Sequence, residues 1–401
     1  MSDQNAAKFH IDRRLLMLAV GMFSLGTDSF VVAGVLPQVS KAFHTSIGAA
    51  GQMTTVYALT YAVLAPTIAA LAASVPRKRL LQAALSIFVV ANLATAFSPT
   101  LLVALITRAF AGLGAAMFAP TATGSASVMV APERRGFALS VVIAGLTAAT
   151  ALGSPMGSII GGLGDWRWTM AFVSGIAAVA LVGITVMLKD IPLPPRVSLA
   201  ERLAPIADLR VTLTLATTLL YMAGVFTVYT YFSVVFDRAI GGNPLVMGAL
   251  LVLWGGGGTV SNIVVGRYID SVGTRRIQLG LLISVAIVLA SLPITSMSLW
   301  TAVPAILAFG ALGWGMLVPQ QHRLVSLAPG SAAVVLGLNT ASTYLGVTAA
   351  GLIGASGLQW VGPHQLGLIG ALLVGLALAT SELASRKISR VQATVAIPVA
   401  A

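Results

Sequence analysis

The chain has 401 residues, of which 57% are hydrophobic and 8% charged, with a mean hydropathy of +0.95 and a formal net charge of +12. So few charges cannot cover a water-soluble surface of this size, so a soluble enzyme is excluded. The basic excess falls on loops between apolar segments, which reads as membrane topology rather than nucleic-acid binding, and no nucleic-acid partner is expected.

In chain order the apolar segments are 15–36, 47–72, 80–98, 101–130, 136–164, 168–188, 211–236, 245–265, 277–294, 299–320, 330–358 and 363–381. Each is long enough to cross a hydrocarbon layer of about 30 Å. With the N-terminus placed in the cytoplasm, nineteen of the 23 Lys and Arg residues fall on that side. The far side receives only Lys41, Arg167 and Arg238, and Arg108 lies inside the fourth segment. An excess of Lys and Arg on alternate loops marks the cytoplasmic face, so both termini are expected inside. The expected fold class is an all-α integral membrane protein of about twelve transmembrane helices. Absence of cysteine removes disulfides and thiolate metal sites, and four scattered histidines form no metal box, so no metal is expected.

The sequence repeats itself once. Phe110–Pro120 reads FAGLGAAMFAP and Phe309–Pro319 reads FGALGWGMLVP, and the basic runs after the second and eighth segments align in the same register. Two homologous six-helix halves are expected, 1–188 and 211–401, joined by a polar cytoplasmic linker at 189–210 in which Pro192, Pro194 and Pro195 oppose a continuous helix.

Only two formal charges sit deep within the segments, Asp28 and Arg108. An ionised side chain at the centre of a membrane helix costs roughly 2.5–3.5 kcal/mol on insertion scales, so each should face water or a partner. Asp28 is the expected protonatable site and a counter-charge for a cationic substrate. The other reading is that it pairs permanently with a neighbouring helix or with Arg108, and the sequence leaves open whether the two meet. Polar and aromatic residues in otherwise apolar spans, namely Tyr57, Tyr61, Asn339 and Tyr344, are the candidate lining of a substrate cavity. Gln52, Asn92, Tyr221, Tyr229 and Asn262 are weaker candidates of the same kind. The run Pro319–Arg323, with His322, reads as a gate or interface element. Gly255–Gly258 are expected to loosen or break the eighth helix locally. Without a GxxxxGK[ST] sequence, ATP-driven transport is not expected.

In the fifth segment Gly153, Gly157 and Gly161 stand four apart, forming one face on which another helix can approach closely, and Pro155 permits a bend. This face is expected to form a kinked seam between the two halves.

These halves resemble the major facilitator superfamily, and within it the drug and sugar efflux antiporters of the arabinose-efflux type. The superfamily's loop motif GxxxDxxGxRR stands intact as Gly266, Asp270, Gly273, Arg275 and Arg276. In the first half Ala69, Ala73 and Pro76 replace its glycines and aspartate, leaving Arg77, Lys78 and Arg79. The fourth segment is similar to the RxxxGxGxA pattern, as Arg108, Gly112, Gly114 and Ala116. The fifth is similar to the antiporter pattern, as Gly145, Gly153, Pro155, Gly157, Gly161 and Gly162. The resemblance implies a proton-coupled exporter of small amphipathic molecules in a bacterial inner membrane, with protons and substrate as partners. It also implies alternating access, a proton gradient in place of a cofactor, coupling through Asp28 and Arg108, and function as a monomer. An uptake symporter or uncoupled facilitator is the alternative on the same fold.

Overall fold

The chain is described by a computed structural model covering residues 12–193 and 197–395, apart from the side chains of Asp270 and 391–395; Pro194 and Pro195 lie outside the described residues. Among these, twelve helices are long and apolar enough to span a membrane. They are α1 Arg13–Ala42, α2 Ile47–Ser74, α3 Arg77–Ala96, α4 Leu101–Val128, α5 Pro132–Leu163 and α6 Trp166–Met187. After the linker follow α7 Leu209–Tyr229, α8 Pro244–Ile269, α9 Thr274–Thr295, α10 Leu299–Leu327, α11 Pro329–Trp360 and α12 Pro363–Arg390. Helices are forced here because hydrocarbon supplies no partner for a free N–H or C=O.

Short polar caps set where the chain turns. Asp12, Ser46, Thr100, Asp165, Asp208, Asn243 and Ser298 each accept a hydrogen bond from a backbone N–H in the first turn of the helix that follows. Each satisfies one donor that a helix start leaves open. Gly273 caps the C-terminal end of α8 at φ +90°, a region closed to most side chains, which lets α9 begin at once. In the linker, Ser198 and Glu201 form a reciprocal capping box on a short helix, Leu199–Leu203, and Arg202 donates to the carbonyl of Ala69 at 3.1 Å. Among its described residues the linker thus holds only short helices, and it is anchored to the end of α2.

The packing obeys the sequence repeat. In the first six helices α1 lies against α5 and α6, α2 against α4, and α3 against α4 and α6. In the last six the corresponding pairs recur: α7 against α11 and α12, α8 against α10, and α9 against α10 and α12. The two sets meet along α2–α11 and α5–α8, again a corresponding pair. Close approaches between them run from mid-depth, where a Cβ on Gly351 would strike Thr55 and one on Gly255 would strike Thr150, to the end opposite the linker. There a Cβ on Gly48 would sit 3.2 Å from that of Ala355, one on Gly162 would strike Pro244, and one on Gly248 would strike Ile159.

Two expectations are corrected by this arrangement. The glycine face of α5 does not form the seam between the halves. Added side-chain atoms at Gly145, Gly153, Gly157 and Gly161 would strike Ala19, Thr27, Val31 and Val35 respectively, all on α1. The glycines bring α5 onto α1 inside the first half, and the opposite side of α5, at Thr150, Ile159 and Gly162, meets α8. The bend next to Pro155 takes the form of a π-helical turn at Ala149–Gly153. Second, Gly255–Gly258 do not break α8, which runs without interruption. Close neighbours explain this: Gly255 lies against the backbone of Thr150, Gly257 against Leu307, and Gly258 under the ring of Trp314. Glycine here serves close approach, and the packed helices hold the backbone in shape.

Candidate functional site

α1 and α4 bring the two deep charges together. Arg108 and Asp28 are both buried, and Arg108 Nη1 lies 2.5 Å from Asp28 Oδ1. The question the sequence leaves open is answered by geometry: they form an ion pair. The guanidinium also donates to Asn92 Oδ1 on α3 at 3.3 Å, to the Met53 carbonyl on α2 at 3.4 Å and to the Asp28 carbonyl at 3.4 Å. The Tyr57 ring lies beneath it, 4.6 Å from the guanidinium carbon. One arginine thus ties four helices of the first half, using the planar fork that a lysine lacks.

The satisfaction of this cluster is incomplete. Asp28 Oδ2 is buried and has no hydrogen-bond partner. An ionised carboxylate with one oxygen unpaired in a dry site is costly, and a proton on that oxygen would relieve it. A relay of hydroxyls adjoins the cluster, because Ser29 Oγ and Tyr57 Oη are 3.2 Å apart.

Of the remaining candidates, Tyr61 and Tyr344 adjoin this cluster at Ser29 and Tyr57, and Asn339 lies elsewhere. Tyr61 of α2 stacks on Tyr344 of α11, centroids 3.9 Å apart, so this pair bridges the two halves. Gln52 also crosses the boundary, donating to the Gly351 carbonyl at 3.3 Å. Asn339 is not part of the tyrosine group. Its Oδ1 accepts from Thr218 at 2.7 Å, within a buried network in which Gln320 donates to Thr218 at 3.2 Å and Gln278 donates to Gln320 at 2.9 Å. Gln320, expected at a gate, is thereby a core residue of the second half, while His322 reaches Thr274 at 2.9 Å at the surface. Arg323, expected in a loop, is buried and donates to Ser381 and Ser385 on α12. Tyr221 and Tyr229 spend their hydroxyls on backbone carbonyls, of Gly313 and Phe30.

Of the loop motif, Arg275 pairs with Glu382 on α12 at 2.6 Å, Arg276 is exposed, and the Asp270 side chain lies outside the described residues. In the first half, where the motif lacks its aspartate, Arg77 is buried beside Gly124 and its Nη1 has no partner.

Sequence reasoning missed an aromatic cluster on the other side of α1. Phe30 stands 5.6 Å from Trp314, 6.3 Å from Trp254, 5.9 Å from Tyr229 and 6.1 Å from Phe226. The available signal was Trp254 directly before the glycine run and Trp314 inside the repeated FGALGWGMLVP stretch. A separate recess of about 390 Å³ between α3 and α4 includes exposed Val90 and Phe110 in its lining, so in a bilayer it faces acyl chains.

A family model described as Major Facilitator Superfamily matches residues 18–351, most of the chain and parts of both halves. The chain belongs to that superfamily. Among its relatives in the superfamily, the inner membrane transport protein YdhP of Escherichia coli (strain K12) is 28% identical over 94% of this chain and 97% of its own length. The chloramphenicol resistance protein of Streptomyces lividans is 30% identical over 91% of this chain and 94% of its own. YfhI of Bacillus subtilis (strain 168), described as an uncharacterized MFS-type transporter, is 26% identical over 93% and 94%. As a Major Facilitator Superfamily member the protein is a multi-pass membrane transporter for small molecules, and not an enzyme.

Proposed function

We propose that this transporter is a proton-coupled antiporter that exports a small amphipathic molecule. The observation that carries the reading is the buried Asp28–Arg108 pair with Asp28 Oδ2 left unpartnered. A proton arriving on that oxygen cancels the charge that holds Arg108. The guanidinium is then left to Asn92, backbone carbonyls and the Tyr57 face, and the four-helix tie weakens. Loss of the proton restores the tie. Coupling follows if the two protonation states favour different arrangements of the halves, because a ligand shifts an equilibrium only through its differential affinity for the two states.

In this reading 1–188 and 211–401 are the moving bundles, 189–210 is the linker, and both termini are cytoplasmic in an inner membrane. A proton entering from outside neutralises Asp28, substrate bound inside is displaced outward, and proton release inside resets the carrier. The Tyr61–Tyr344 stack lies on the path between the halves and parts as they separate. The Arg275–Glu382 pair of the loop motif clasps the linker end of the second half. The proton gradient is the energy source, no cofactor takes part, and a monomer suffices. The name of the Streptomyces relative supports export, since resistance to an inhibitor follows from its removal.

The test uses purified protein in liposomes with a trapped pH-sensitive dye, run with wild type and Asp28→Asn. Antiport requires proton movement opposite to substrate flux that disappears in the variant. Proton movement in the same direction as substrate would make it a symporter. Substrate flux without proton movement, unchanged by Asp28→Asn, would leave a facilitator with a structural aspartate.

A further inference from the structure

The aromatic cluster around Phe30 contains donors that the packing of the bundle does not use. Trp254 is fully buried and Trp314 half-buried, and neither indole N–H has an acceptor. Both rings line a small cavity of about 10 Å³ together with Met222, Val225, Phe226 and Gly313. That is room for about one water molecule, so the space is nearly closed in this conformation. Space continues beside it: a Cβ on Gly313, next to Trp314, would meet nothing within 4 Å. Buried indole N–H groups ordinarily find a partner, so two orphaned donors on one cavity mark a place where an acceptor is supplied from outside.

We propose that Trp254 and Trp314, with Phe30 and Phe226, form the subsite that takes an uncharged, flat aromatic part of the substrate bearing acceptor oxygens such as nitro or carbonyl groups. The inference rests on the exporter reading and names its substrate class. Aromatic walls give a planar ring stacking and edge contacts, and the two indoles give its oxygens directed donors. No charged side chain belongs to the cavity, so charge is not what it selects. Phe30 stands two residues beyond Asp28, about 200° around α1, so one helix presents its ring to the aromatic site and its carboxylate to Arg108. Occupation of the site and protonation of Asp28 therefore act on the same helix from opposite sides.

The experiment measures equilibrium binding to the full-length protein of two nitroaryl amides, chloramphenicol and nitroacetanilide, with glucose as the non-aromatic control. Trp254→Phe and Trp314→Phe keep a ring and remove the N–H. Each is expected to weaken binding of the nitroaryl amides about fivefold, as loss of one neutral hydrogen bond does, with an unchanged denaturation midpoint. Glucose is expected not to bind. The proposal is overturned if neither amide binds, if glucose binds more tightly than both, or if both variants bind the amides as wild type does. The proton-flux assay separates the two readings. Tryptophan-dependent binding with no proton movement removes the coupling and leaves the subsite; Asp28-dependent proton movement with tryptophan-independent binding does the reverse.

Discussion

The two halves share a packing plan but bury different polar centres. At its centre the first half holds a charged one, Asp28, Arg108 and Asn92 above the Tyr57 ring; the second, apart from Arg323 buried against Ser381 and Ser385, holds a neutral one, Gln278, Gln320, Thr218 and Asn339. The neutral network distributes its hydrogen bonds over four helices and has no group that changes charge. The charged one stakes its stability on a single proton-sensitive oxygen pair. Under the proposed coupling, a repeat that keeps the helix contacts and differs in buried chemistry would let one half respond to protons while the other serves as its fixed reference.

The largest test of that contrast is Arg108→Leu. It leaves Asp28 buried without its counter-charge and is expected to cost about 3–5 kcal/mol in detergent denaturation, much of which Asp28→Asn in the same chain should return. Independent, additive costs would break the comparison. Gln320→Leu, which strips partners from Gln278 and Thr218, is expected to cost about 1–3 kcal/mol while leaving the pH dependence of transport as in wild type. A shifted pH profile would mean that the second half is not a fixed reference. Arg275→Gln removes an ion pair whose arginine side chain is 59% exposed, and the expected loss is the smallest of the three and shrinks further in high salt.

The smallest effect lies at the starts of α1 and α7. Hydrogen bonds from Arg14 hold the Asp12 carboxyl below its ordinary value of 3.8, and Arg210 does the same for Asp208. A carboxyl lowered in the folded state stabilises above its unfolded value and loses that contribution as pH falls through the folded one. Both caps should therefore be intact at neutral pH and fail only below 3.8, and Asp12→Asn with Asp208→Asn should flatten the acid limb of the stability curve there.

The twelve spans were legible because hydrocarbon demands long apolar helices, and the repeat because Phe110–Pro120 and Phe309–Pro319 still share five of their eleven residues in register. Asp28 and Arg108 stood out by rarity, but their meeting depended on the relative depth of α1 and α4, which no local pattern records. The glycines of α5 announced close approach without naming the partner, so the same spacing fitted the seam between halves and the contact with α1 that is present. Gly255–Gly258 misled because intrinsic propensity describes a helix alone, while Thr150, Leu307 and Trp314 surround this one. Trp254 and Trp314 passed unnoticed because an apolar-looking residue in an apolar span announces nothing until its N–H is seen to lack an acceptor.

The π-helical turn of α5 carries one further consequence. Its wider loop of hydrogen bonds at Ala149–Gly153 interrupts the regular α-helical bonding of a 32-residue helix. The amides from Ala149 to Ser154 should thus exchange with deuterium faster than those on either side, giving a soft point deep inside a segment that hydropathy alone would mark as uniformly protected.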